Sequence, residues 1–145
     1  MSTMAINRFQ LRDLIARVLI PMRLHSSEVV DLLMGTCAQE SQMGTYLRQL
    51  GGGPALGIFQ MEPSTFLDLR ERYGIRYGML SRVPEEQEWD LKLAILMARI
   101  KYLSCPGAIP KDVERQARYW KQWYNTALGA GTVDEYLANY RKYCQ

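Results

Sequence analysis

Residues 26–41, SSEVVDLLMGTCAQES, decide the fold. Ser26 or Ser27 stands where a helix N-cap is wanted, and Glu28 falls in the first turn. Val29, Val30, Leu33, Cys37 and Glu40 then recur at three- or four-residue spacing, the period of one helical face. A carboxylate therefore ends on the stripe that faces the core, one turn from where the helix runs out.

The flanking segments carry the same period. Upstream, Phe9, Leu11, Leu14, Ile15, Val18 and Leu19 predict a helix from about Ala5 to Ile20, which Pro21 stops. Downstream, residues 44–57 are rich in glycine around Gly51-Gly52-Gly53-Pro54 and read as a loop or a short hairpin. Pro63 suits a first helical turn, so Ser64 to Tyr73 is expected to be helical and Gly74 to end it. After Pro84, the acidic run Glu85, Glu86 and Glu88 reads as a helix N-terminus, and Leu91 to Leu103 is apolar on nearly all sides, as a central helix is. Cys105-Pro106-Gly107 ends that helix. Lys111 to Tyr124 forms another, with Val113, Ala117, Trp120 and Tyr124 on one face, and Thr132 to Glu135 reads as a capping box opening the last.

The expected fold is thus mainly α, a single domain over residues 1–145 without repeats, linkers or low-complexity segments. A chain of 145 residues with 48% hydrophobic content has the material for one core. The net charge of +3 is spread along the sequence, so nucleic acid is not the expected partner, although a mildly basic surface also suits an anionic polymer. Cys37, Cys105 and Cys144 include no CxxC pair and read as reduced thiols, with a Cys105–Cys144 bridge as the alternative. His25, the only histidine, has no partner for a metal site or a triad, and no metal or cofactor is expected. Arg17 interrupts the apolar segment Leu14 to Met22, which also lacks a cleavage site, so synthesis in a cytoplasm without a secretory signal is expected. No run approaches the roughly 18 apolar residues that span a bilayer, and no membrane association is expected.

Glu40 is the first candidate for chemistry. Burial and the negative end of a helix dipole both disfavour its charged form, and a carboxyl kept protonated near neutral pH can hand a proton to a glycosidic oxygen. Alone, a glutamate in a last helical turn is more often an ordinary surface residue. The glycine loop has no following Lys-Ser or Lys-Thr and is therefore not a phosphate-binding loop; it reads as a flexible rim that lets a bulky chain approach. Tyr119, Trp120, Trp123 and Tyr124 are dense enough for a sugar platform, although Trp120 and Tyr124 at helical spacing also suit a core.

Three segments change the weight given to Glu40. Cys37-Ala38-Gln39-Glu40-Ser41, then Gly57-Ile58-Phe59-Gln60 with Pro63 following, then Trp123-Tyr124-Asn125, resemble in this order the signature segments of the lytic transglycosylases with a lysozyme-like fold. The resemblance spans roughly Val29 to Tyr143. It departs at Phe59, where the family usually has methionine, and after Asn125, where Thr126-Ala127-Leu128-Gly129 replaces a direct Ala-Gly.

The resemblance implies peptidoglycan as substrate and Glu40 as the single catalytic acid, with Ser41 as a polar contact beside it. Phe59 and Gln60 would touch the sugars, Tyr124 would sit against the carboxyl, and Asn125 would help close the groove. Glu62 is a candidate second acid, which would permit hydrolysis. A wall enzyme without a signal fits a bacteriophage protein. The alternative is a structural virion component, such as a head or tail adaptor bound to other virion proteins, to which an exposed Tyr140, Tyr143 and Cys144 on the last helix would contribute. A wall-binding module without turnover is a third reading.

Overall fold

Six α-helices account for most of the chain in the computed structural model, which describes residues 5–126 and 129–145. They are α1 (Arg8–Leu19), α2 (Ser27–Ser41), α3 (Pro63–Tyr77), α4 (Leu91–Leu103), α5 (Val113–Tyr119) and α6 (Val133–Cys144). A 3-10 turn spans Pro84–Glu88, and a π-helical turn, Trp120–Asn125, continues α5. Among the described residues there is no strand, only isolated antiparallel bridges joining Arg48 to Leu56 and Leu56 to Met61. The mainly helical expectation holds, and the hairpin is reduced to these bridges.

α2 begins as the sequence predicts, with the Ser26 hydroxyl accepting a bond from the Val29 amide at 3.1 Å. Its middle is buried on every side: Val29, Val30, Leu32, Leu33, Met34, Thr36, Cys37 and Ala38 all belong to the interior. It touches α1, α4, α5 and α6, so it shares the centre with α4, which the sequence alone made central. α6 comes very close because position 35 is glycine. A Cβ there would stand 2.0 Å from the Tyr136 hydroxyl, which instead donates to the Leu32 carbonyl at 3.3 Å.

Several boundaries differ from expectation for identifiable reasons. α1 buries Leu11, Ile15, Val18 and Leu19, but Phe9 lies off that stripe and is 68% exposed, with the Arg8 guanidinium over its ring. α3 passes through Gly74 and ends at Gly78, whose φ of +71° supplies the left-handed cap. The acidic run after Pro84 makes its own 3-10 turn, because extended backbone at Asp90 separates it from α4; Asp90 then caps α4 by accepting from the Leu93 amide. Tyr136, Tyr140 and Cys144 of α6 are buried, and the Tyr143 hydroxyl donates to Gln42 at 3.2 Å. Of the residues expected at an exposed interface, Tyr140 and Cys144 therefore serve the interior, while Tyr143 is half-buried and makes its hydrogen bond at the surface. All three cysteines are free thiols, so the alternative Cys105–Cys144 bridge is not formed.

A single cluster of buried side chains draws on all six helices. No helix among the described residues is long and apolar enough to cross a membrane.

Candidate active site

The site begins where α2 stops. Gln42 and Met43 adopt left-handed conformations, with φ of +50° and +58°, so the chain reverses sharply and leaves Glu40 on the final turn. Ser41, beside it, is fully buried. Its hydroxyl lies 2.6 Å from the Ile58 carbonyl and 3.1 Å from that of Cys37, and accepts from the Gly44 amide at 2.8 Å. A hydroxyl has one proton, and the short contact marks Ile58 as its acceptor. Ser41 thereby ties the segment Gly57–Gln60 to the end of α2.

That segment is a tight turn with its own requirements. Gly57 has φ of +78°, and a Cβ on it would meet the Gln87 carbonyl oxygen at 2.7 Å, so only glycine fits. The Gln60 side chain donates back to the Gly57 carbonyl at 2.8 Å. Phe59 is buried, and its carbonyl accepts from the Tyr124 hydroxyl at 2.7 Å. Ser41 and Phe59, expected to contact a ligand, are internal braces instead; their side chains point into packed protein and not into open space.

The open space is a cleft of about 570 Å³ beside α2, and Glu40, Gln60, Glu62, Lys101, Tyr124 and Asn125 all line it. Tyr46, Gln49 and Leu50 of the glycine-rich loop form one rim. Five residues singled out from the sequence (Glu40, Gln60, Glu62, Tyr124 and Asn125) thus meet in one place. Tyr124 borders the cleft, but its hydroxyl is spent on the Phe59 carbonyl. Asn125 is held by Lys121, whose ammonium donates to its side-chain oxygen at 2.8 Å and to the Gly129 carbonyl at 2.9 Å. Of the inserted segment after Asn125, Ala127 and Leu128 lie outside the described residues. Glu62 is exposed at the start of α3, where it makes no side-chain cap.

Glu40 has the electrostatics its position implies. Burial pushes its carboxyl from the ordinary 4.5 up to about 7, against the opposing effects of the Trp120 indole and the Lys101 charge. The Trp120 N–H donates to Glu40 Oε2 at 2.9 Å. An indole nitrogen only donates, so it holds Oε2 as an acceptor and leaves Oε1 to carry the proton. Trp120 is itself fixed by the Tyr136 ring, 5.3 Å between centroids, and by Gly131, where a Cβ would come within 2.7 Å of the indole.

Sequence reading missed two of these groups. Trp120 is read as core at helical spacing, which it is, but its N–H also reaches the acid. Lys101 lies on an apolar helix, where a lysine would ordinarily extend into water. Here its ammonium donates to the Tyr124 carbonyl at 3.0 Å and stands 3.8 Å from the centre of the Tyr124 ring. Burial lowers its pKa, and the nearby Glu40 charge opposes that. A cation on an otherwise buried face of α4 was the available signal.

No family model, no curated protein and no solved structure matches this chain. The chemistry is therefore argued from the cleft itself. It offers a carboxyl with a pKa of about 7, the range that suits proton transfer near neutral pH, with one fixed N–H donor on it, beside a cleft of about 570 Å³ lined with amides and hydroxyls.

Proposed function

We propose that this protein cleaves the glycan strands of bacterial peptidoglycan between N-acetylmuramic acid and N-acetylglucosamine, as a lytic transglycosylase with a lysozyme-like helical fold and Glu40 as its catalytic acid. The observation that carries this reading is the Glu40 carboxyl, raised to about 7 on the wall of a polar cleft. Its supports are the joint placement of Gln60, Tyr124 and Asn125 on that cleft and the order of the three sequence segments that bring them there. The site of action is then the bacterial cell wall.

In this mechanism Oε1 of protonated Glu40 gives its proton to the glycosidic oxygen as the C1–O bond breaks, and the N-acetylglucosamine residue leaves as an alcohol. The resulting carboxylate is steadied by the Trp120 N–H on Oε2 and by the Lys101 charge, both of which favour the ionised form. It then takes the proton of the muramoyl 6-hydroxyl, whose oxygen bonds to C1 and closes a 1,6-anhydro ring. The acid is regenerated, and no water is consumed.

Glu62 on the same cleft gives a second reading, hydrolysis by two carboxylates, which requires them about 5–5.5 Å apart for retention or about 6.5–9.5 Å for inversion. The test is release of soluble fragments from purified peptidoglycan. Release by wild type and by Glu62→Gln, with none by Glu40→Gln, is the expected pattern. Equal loss in both variants supports the two-carboxylate reading. No release by wild type overturns the enzymatic reading and favours a binding or virion role.

A further inference from the structure

Lys101 is the only basic side chain lining the cleft among the described residues. Its ammonium has three protons to donate, and one is used on the Tyr124 carbonyl. The Tyr124 ring face gives it a partial charge, but it forms no ion pair with any described carboxylate. A largely buried ammonium without a counter-ion is costly unless something else supplies one.

The largest compensating charge is that of Glu40 when ionised, with Glu62 on the same cleft contributing less. Glu40 must be protonated to act as an acid, so in the reactive state the cleft holds a cation that has lost its main compensation. A strand of neutral sugars does not supply the missing anion. We infer that Lys101 is a specificity-determining residue of the cleft, which binds a carboxylate carried by the substrate on its muramoyl unit.

This inference rests on the proposed glycan-cleaving role. In peptidoglycan the carboxylate has two sources: the lactyl group of a muramoyl residue whose peptide has been removed, or the acidic residues of an attached stem. Both present the same planar anion to an ammonium held on the cleft wall, and the ligands below separate them.

The experiment is calorimetric binding at pH 6 to Glu40→Gln, which mimics the protonated acid and turns nothing over. Three tetrasaccharides serve as ligands. One is neutral chitotetraose. The second alternates N-acetylglucosamine with N-acetylmuramic acid bearing free lactyl carboxylates. The third is the same glycan with Ala-Glu stems, in which the lactyl group is an amide and the stem carries the charge. Adding Lys101→Met is expected to weaken one carboxylate-bearing ligand by about tenfold or more, the scale of a charge-assisted hydrogen bond, and to leave chitotetraose within about twofold. Lys101→Arg is expected to retain most of the affinity. The ligand that loses affinity names the source, and unchanged chitotetraose binding shows that the cleft is folded. Equal weakening of all three ligands, or of none, overturns the inference while the glycan reading stands. If no ligand binds the Glu40→Gln parent, the glycan reading itself fails and the inference falls with it.

Discussion

Replacing Glu40 by glutamine tests the environment of the acid without any substrate. The wild-type carboxyl has an ordinary pKa of 4.5 when unfolded and about 7 when folded, because burial penalises its charge. Between those values the folded state binds more protons than the unfolded state, so stability falls as pH rises. Below 4.5 the carboxyl is neutral in both states and costs nothing; above about 7 it is ionised in both and the full penalty applies. The interval from 4.5 to about 7, at about 1.36 kcal/mol per pH unit, amounts to about 3 kcal/mol. Glutamine has the same shape, can still accept from the Trp120 N–H and does not titrate. Urea unfolding of both proteins from pH 4 to pH 8.5 gives the difference directly. Relative to wild type, the variant is expected to gain about 3 kcal/mol across this interval and then level off. A difference that stays flat, or that changes in the opposite direction, refutes a buried, proton-holding Glu40.

Trp120→Phe removes the N–H that steadies the ionised Glu40, so the carboxyl rises further above 7. A hydrogen bond to a charged group is worth about 1.5–3 kcal/mol, which moves the alkaline limb of the pH–rate profile upward by about one to two pH units; an unmoved limb contradicts that role. Gly57→Ala forces a side chain into a left-handed turn and against the Gln87 carbonyl. The backbone alone costs about 1–3 kcal/mol, read as a lower urea midpoint, and an unchanged midpoint means that the turn is not tightly held. Ser41→Ala leaves the Ile58 carbonyl and the Gly44 amide without their partner, at about 1–3 kcal/mol each. Its kcat is expected to fall with KM little changed; a rise in KM alone would restore Ser41 as a substrate contact.

The helices were largely legible because their signals are local. Ser26 and Thr132 are capping side chains that bond to amides three residues on, and the apolar stretches of α2 and α4 are buried in the structure. Gly74 misled because a glycine ends a helix only where the backbone turns left-handed, and that turn occurs at Gly78. The acid and the residues around its cleft were legible as segments, while the direction of each side chain was not. Ser41 and Phe59 occupy the expected turns and face inward, because a one-residue difference in position decides between cleft and core. Lys101 escaped notice because its role depends on a carbonyl and a ring from Tyr124, 23 residues away in the chain. Tyr140 of α6 reads as a surface aromatic from the sequence because its hydroxyl partner, Asp31, lies 109 residues away in the chain.

Mass spectrometry of the muropeptides released from purified peptidoglycan by wild type and by Glu40→Gln tests the central claim most directly. The account predicts anhydromuramoyl products, one water lighter than those of hydrolysis, from wild type and none from the variant. Ordinary reducing ends, or release that survives the loss of Glu40, would contradict it.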